Sequence, residues 1–256
     1  MVLAWLATGC SAILGVEELR TGGDVDAAPD GGANDALVDA IGPDAGPNPN
    51  CVSYPVLSVT TRDFHSTHPD FQAYLAMNAT PGLVENQLGA DGKPVYAPLG
   101  GTAVTTGKAE FDQWYRDVAD VNIAIPTTMP ITLINGNAGY DDQTYFPVDG
   151  QGFGNEQFPN NFSFTTEIHT RFQYLGGEKL SFTGDDDFWL FVNGRLAIDL
   201  GGVHLAQLGT VDLDGAATNL GLTVGDEYTL DIFQAERHTS QSTFRISTSI
   251  KCFLTQ

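Results

Sequence analysis

The chain has 256 residues, of which 42% are hydrophobic, and its 11 basic and 32 acidic residues give a formal net charge of −21. This length and hydrophobic content allow one large or two small globular domains with a real core. A field this negative repels phosphate backbones and anionic lipids, which excludes nucleic acid as an expected partner and leaves cations and neutral ligands such as sugars. Solubility alone would account for the acidity equally well.

The N-terminal stretch, residues 1–10, is largely apolar, ends in small residues and is too short to span a bilayer. Residues 6–10 resemble the lipobox of bacterial lipoproteins, in which cleavage before the cysteine frees it to carry a lipid. We therefore predict a signal and anchor segment over residues 1–20 and lipidation of Cys10. This predicts export to the cell envelope or cell surface, with the membrane a partner only through the lipid. The alternative is a plain apolar tail.

Residues 21–50 contain six Asp but no Lys, Arg, aromatic residue or hydrophobic periodicity. Such a segment cannot bury a core. We predict a disordered acidic linker that holds the following domain away from a membrane surface.

From residue 51 onward, apolar and polar residues alternate between Gly, Asn and Asp, which predicts one antiparallel β domain over residues 51–256. The strongest hairpin pattern is Asn193-Gly194, because a type I′ turn needs positive φ at both positions. The predicted strands cover residues 56–61, 131–135, 162–174, 179–183, 188–192, 196–200, 210–213, 228–233 and 243–250.

Two short helices are also predicted. Residues 69–77 carry a proline at a first-turn position, and Phe111, Trp114, Tyr115 and Val118 fall on one helical face. Residues 211–215 look like a calcium loop but lack the third acidic position and the distal Glu of an EF-hand, so we predict a turn there.

Two cysteines bracket the predicted domain, Cys51 at its start and Cys252 four residues from the end of the chain. With Cys10 taken by lipid, these two form the remaining pair, and a disulfide would join the two ends of one domain in an oxidising compartment. On the chain-entropy model, a disulfide that closes so long a loop stabilises the folded state by about 5 kcal/mol. The alternative is two free thiols.

Three adjacent carboxylates, Asp185, Asp186 and Asp187, lie between two apolar strands. Like charges this close repel one another. A cation relieves the crowding, and hard oxygen ligands favour calcium. The alternative is a solvated acidic turn.

The acidic run and the strands after it resemble a known family. Asp185-Asp186 followed by Leu190-Phe191-Val192-Asn193-Gly194-Arg195-Leu196 and Ile198-Asp199 is similar to the core motif of the anthrax protective-antigen domain family, which occurs in toxins, glycosidases and yeast flocculin adhesins. Three further segments resemble the fibro-slime branch of this family: Arg62-Asp63-Phe64-His65, Asp199-Leu200-Gly201-Gly202-Val203-His204 and Ala235-Glu236-Arg237-His238-Thr239. The resemblance covers residues 54–250 and implies a mainly β, antiparallel β-sandwich of the jelly-roll type.

In the family's lectin members the two motif aspartates ligate calcium, and vicinal sugar hydroxyls complete the shell of the ion. The resemblance therefore implies a calcium cofactor with Asp185 and Asp186 as ligands at the glycan site. Asp187 is a further ligand or a surface charge. The remaining ligands come from a second loop, placed here at residues 236–242 with Glu236 as the candidate.

Two histidines, His204 and His238, fit the fibro-slime pattern and are candidate ligand-binding residues, although a structural role suits them equally. The function implied is a monomeric, calcium-dependent carbohydrate-binding module for cell-surface adhesion, with a polysaccharide or glycan as partner and no enzymatic activity. One alternative is a glycoside hydrolase, which needs two carboxylates facing each other across a cleft. Another is a structural matrix protein without a ligand.

Overall fold

The computed structural model of the protein describes residues 48–72 and 75–254. The predicted signal segment, Cys10 and the linker up to residue 47 lie outside them, so lipidation and the boundary at residue 20 stay predictions. The described residues all belong to one compact unit. Within them, no helix is both long enough and apolar enough to cross a membrane.

The described chain is built from short strands with two helices. In chain order the elements are β1 (Cys51–Val52), β2 (Val56–Phe64), α1 (Lys108–Phe111), β3 (Asn122–Pro130), β4 (Thr132–Ile134), β5 (Asn137–Asp142), β6 (Phe164–Gln173), β7 (Lys179–Gly184), β8 (Asp187–Val192), β9 (Arg195–Leu200), β10 (Gln207–Asp212), α2 (Leu213–Leu220), β11 (Glu227–Glu236), β12 (Phe244–Thr248) and β13 (Phe253–Leu254).

The strands form two antiparallel sheets. In the first sheet β6 is central: it pairs with β11 along one edge and with β2 and β13 along the other. Beyond them lie β8 and β9 next to β11, β3 next to β2, and β1 next to β13. The second sheet has the order β10-β7-β12-β5-β4. The predicted fold class, a mainly β antiparallel sandwich with two short helices, is confirmed.

Strand β8 is buried on both faces because it separates two apolar clusters. Phe188 and Leu190 face the main core between the sheets, where Phe188 stacks on Phe182 of β7 at 3.5 Å between ring centroids. Trp189 and Phe191 alternate to the other side and pack in a second cluster with the segment from Leu83 to Tyr115. The double burial holds the start of β8 rigidly, and this is where the acidic run lies.

All nine predicted strands occur, with their ends shifted by a few residues, and four further strands were missed: β1, β3, β5 and β13. The sequence of β3 contains Pro126 and Pro130, which argue against a strand because proline cannot donate to the ladder. Among the described strands, β3 pairs only with β2. An edge position of this kind tolerates proline.

The predicted helix over residues 69–77 was wrong: residues 69–72 form turns, and residues 75–77 are not helical. Residues 211–215, predicted as a turn, are instead the end of β10 and the start of α2. Asp212 caps this helix by accepting hydrogen bonds from the backbone N–H groups of Asp214 and Gly215, and Gly221 ends it at φ 69°. The cap satisfies N–H groups that the first helical turn leaves unpaired.

The predicted disulfide between Cys51 and Cys252 is confirmed. Strand β1 pairs with β13, so the two ends of the described domain lie side by side on the first sheet.

Candidate functional site

The acidic run lies where the chain crosses between the sheets. Asp185 and Asp186 connect β7 of the second sheet to β8 of the first, and residues 237–243 connect β11 of the first sheet to β12 of the second. Register places the two crossings side by side, because Asp187 pairs with Ala235 and Gly184 pairs with Phe244. Glu236, the last residue of β11, therefore comes next to the two aspartates.

Backbone hydrogen bonds tie the two crossings together. The N–H of Thr243 donates to Oδ1 of Asp185 at 2.5 Å, and the N–H of Arg237 donates to Oδ2 of Asp186 at 2.7 Å. Asp186 has the left-handed backbone conformation, φ 57°, which Asp adopts more readily than most residues. Each aspartate keeps one carboxylate oxygen that these bonds do not use.

The carboxylate of Glu236 is the unusual group of the site. The residue is 0% exposed, and neither of its oxygens has a hydrogen-bond partner in good geometry among the described residues, although the side chains of Ser242 and Asp186 lie close to it. Burial and the charges of Asp186 and Asp185 raise the pKa of Glu236 well above its ordinary value. Burial likewise raises the pKa values of Asp185 and Asp186. Three buried carboxyl groups with raised pKa values are the groups that a bound cation would return to their ionised form.

A small cavity of about 20 Å³ borders Asp185 and Asp186 and is closed by His204, His238 and residues 239–241. A space of this size holds one ion or one water. Among residues 48–72 and 75–254, no group of three or more His, Cys, Asp or Glu side chains is arranged so that it could hold a metal ion as it stands. A cation would therefore require the carboxylates to rotate towards it, with backbone or ligand oxygens completing its shell.

Asp187, predicted as a third metal ligand, has both oxygens engaged by the protein. Oδ1 accepts from the N–H of Gly202 at 2.5 Å, and Oδ2 accepts from Nε of Arg237 at 2.6 Å. Both ionic side chains are 0% exposed. The geometry therefore assigns Asp187 to a buried ion pair that supports the site.

The two candidate histidines differ. Both ring nitrogens of His204 lie against backbone carbonyl oxygens, those of Leu205 and Leu200, which leaves no ring nitrogen for a ligand. His238 uses Nδ1 for the carbonyl oxygen of Thr239. In the neutral form this fixes the proton on Nδ1 and leaves Nε2 with its lone pair. Of the two, His238 is the one equipped to contact a ligand.

Arg237 is the important residue that sequence reasoning did not single out. Its guanidinium is buried, lies 4.5 Å from the ring centroid of Trp114, and donates from Nη1 to the carbonyl oxygens of Asp70 and Val104. A signal was present: in a chain with 11 basic residues, an arginine directly follows the candidate ligand Glu236. A buried carboxylate such as Asp187 needs a counter-charge of this kind.

Comparison with known proteins finds a family model that resembles part of the chain. Residues 128–252 match the PA14 domain. The matched stretch contains the crossing from β7 to β8, the crossing from β11 to β12, and these four strands themselves. The motif resemblance to the protective-antigen domain family agrees with this match over residues 128–252.

Curated relatives of this chain occur in Dictyostelium discoideum. Protein psiD is 40% identical over 211 residues, which cover 76% of this chain and 41% of the relative. Protein psiR is 38% identical over 206 residues, which cover 73% of this chain and 20% of the relative. The chain thus spans less than half the length of these relatives.

Among solved structures, the PA14 sugar-binding domain from an RTX adhesin is 11% identical, with a TM-score of 0.34 over 76% of this chain and 90% of that one. The A domain of epithelial adhesin 9 from Candida glabrata, in complex with Galb1-4GlcNAc, is also 11% identical, with a TM-score of 0.31 over 79% of this chain and 86% of that one.

Proposed function

We propose that this chain is a carbohydrate-binding module whose glycan site is completed by a calcium ion held by Asp185, Asp186 and Glu236. The observation that carries the proposal is the buried carboxyl group of Glu236, which lies beside Asp186 and Asp185 and has no hydrogen-bond partner in good geometry among the described residues. Such a carboxyl group ionises only where a counter-charge offsets the cost of burying its charge, and a metal ion supplies that counter-charge.

The chemistry of the donors favours calcium. Calcium takes six to eight oxygen ligands in a flexible geometry, whereas magnesium demands a near-ideal octahedron. Three carboxylates cannot fill such a shell, so positions remain for backbone oxygens and for a ligand. Vicinal hydroxyls of a sugar are neutral oxygen donors, and the net charge of −21 does not repel them. When bound, the ion would supply the attraction that orients the hydroxyl pair.

The dimensions of the site favour binding over hydrolysis. A glycosidase places its two carboxyl groups about 5–9.5 Å apart with the sugar between them. The cavity of about 20 Å³ beside Asp185 and Asp186 admits an ion or a water but no pyranose ring. The sugar would therefore lie over the ion, outside the carboxylates. We extend the proposal to adhesion at a cell surface, where a glycan-binding module acts as one part of a larger assembly.

The test is calcium titration by calorimetry, followed by a glycan array with and without chelator. We expect the parent to bind calcium and, only with calcium, to bind saccharide. Asp186→Asn and Glu236→Gln should each abolish both events, because each removes a negative ligand from the ion. Calcium at about 100 times its Kd should stabilise the parent by about 2.7 kcal/mol and leave the variants unchanged.

The matched control is Asp120→Asn. Asp120 has the same left-handed backbone as Asp186, with φ values of 62° and 57°, but is exposed and lies outside the site. Asn tolerates this conformation as well as Asp does. Glycan binding that survives the chelator and both site variants would refute the calcium bridge. Hydrolysis of a polysaccharide panel by the parent would favour the glycosidase.

A further inference from the structure

A second, larger cavity lies next to the acidic site. Its volume is about 420 Å³, within the roughly 300–1,000 Å³ of typical ligand pockets. Residues 239–241 line both this cleft and the small cavity beside Asp185 and Asp186. The two spaces are therefore separated by one short stretch of chain.

Hydrogen bonds hold the two residues that directly follow this shared wall. Oγ of Ser242 donates to the carbonyl oxygen of Tyr145 at 2.6 Å, and the N–H of Tyr145 donates back to the carbonyl oxygen of Ser242 at 2.9 Å. On the other side the N–H of Thr243 holds Asp185. The cleft thus keeps a constant position relative to the carboxylates, while Ser240 at the tip of the wall has an unusual φ of 129°. Strain of this kind in a non-glycine residue is concentrated at functional sites.

The lining of the cleft combines aromatic rings with neutral polar groups. Phe162 packs edge-on against Phe146 and Phe158 at centroid distances of 5.0 and 6.2 Å, and Phe158 stays partly exposed. The side-chain amides of Gln143 and Gln241 are exposed and make no hydrogen bond with the described residues. Within the described chain, no charged side chain lines the cleft.

These groups match the two kinds of surface on a pyranose ring. An aromatic side chain offers a large apolar contact for the C–H groups. An amide can both donate to and accept from hydroxyls. A neutral lining suits a neutral polyhydroxy ligand better than a peptide or lipid headgroup that carries charge, because a buried charge would find no partner there.

We propose that this cleft is a second saccharide subsite, so that the module recognises two or more linked sugar units. One unit lies at the ion, and the next lies beyond the wall of residues 239–241, against Phe158 and between Gln143 and Gln241. The inference rests on the proposed function, since the first unit is the one held at the acidic site.

The experiment uses the full chain with calcium and compares methyl glycosides of glucose, galactose, mannose and fucose with di- and trisaccharides of the same sugars. We expect the parent to bind at least one oligosaccharide about tenfold more tightly than its methyl glycoside, which is the gain from one good aromatic contact. Phe158→Ala and Gln143→Ala should each remove most of that gain, since both residues line the cleft and neither lines the cavity beside the ion. Both should leave the affinities for calcium and for the methyl glycoside unchanged.

Tyr54→Ala is the control, because Tyr54 is an aromatic residue with 46% exposure outside the cleft. Gln143 is exposed, so its variant keeps the test independent of any loss of folding in Phe158→Ala. If the parent binds methyl glycosides and oligosaccharides equally, or if both variants keep the gain, the second subsite is refuted and the ion site stands. If the parent binds no saccharide with calcium, both proposals fail.

Discussion

The buried ion pair behind the site offers the sharpest test of how the fold supports it. Arg237 donates to Asp187 at 2.6 Å and to the carbonyl oxygens of Asp70 and Val104 at 2.7 and 2.8 Å. It also lies over the ring of Trp114. Replacing Arg237 by Met fills much of the same space but leaves the carboxylate of Asp187 buried without its counter-charge.

The expected cost follows from that isolated charge. Removing one partner of a buried pair destabilises a protein by about 3–5 kcal/mol. This is a large part of a total stability of about 5–15 kcal/mol. For a domain of this size, 1 kcal/mol corresponds to about 2–4 °C. We therefore expect Arg237→Met to lower the unfolding temperature by about 10 °C.

The assay is urea unfolding of a double-mutant cycle. Asp187→Asn removes the negative charge while keeping the shape of the side chain, so Arg237→Met combined with Asp187→Asn should cost less than the two single changes added together. Arg171→Met is the control, since Arg171 forms an exposed pair with Glu227 at 3.1 Å. Exposed pairs of this kind contribute about 0–1 kcal/mol. The reasoning fails if Arg237→Met costs no more than Arg171→Met, or if the two changes at the buried pair are additive.

Two further predictions concern stability away from the site. Changing Cys51 and Cys252 to Ser opens a loop with a sequence separation of 201 residues, and we expect a loss of about 5 kcal/mol in urea unfolding; mass spectrometry of unreduced peptides that showed both thiols free in the parent would contradict this. Hydrogen bonds to Asp231 and Glu167 raise the pKa of His169 to about 9, so its contribution to stability should be complete below pH about 6.5 and lost as the pH rises through about 9. An NMR titration of the imidazole should show the raised pKa in the parent, whereas a midpoint near 6.5 would contradict the assignment.

The sequence by itself determined the local features of this protein. The Asn193-Gly194 turn was predictable because positive φ at both positions suits these two residues, and the structure has φ values of 53° and 67° there. The alternating pattern predicted nine strands, since side chains of a half-buried strand point alternately to core and solvent. The cysteine positions predicted the disulfide, and the separated motifs predicted a resemblance that agrees with the PA14 match over residues 128–252. The acidic run was visible as a site candidate because like charges rarely stand together without a reason.

Tertiary structure decided which of those candidates meet and what each one contacts. The sequence predicted Asp187 as a third metal ligand, but in the structure its Oδ2 accepts a hydrogen bond from Arg237, 50 residues further along the chain. His204 was a candidate ligand-binding residue, but its ring nitrogens lie against the carbonyl oxygens of Leu205 and Leu200. The edge position that admits the prolines of β3 is likewise a property of the sheet. The physical reason is that backbone conformation follows from neighbours in sequence, whereas the partners of a buried carboxylate are set by the register of strands that are distant in the chain.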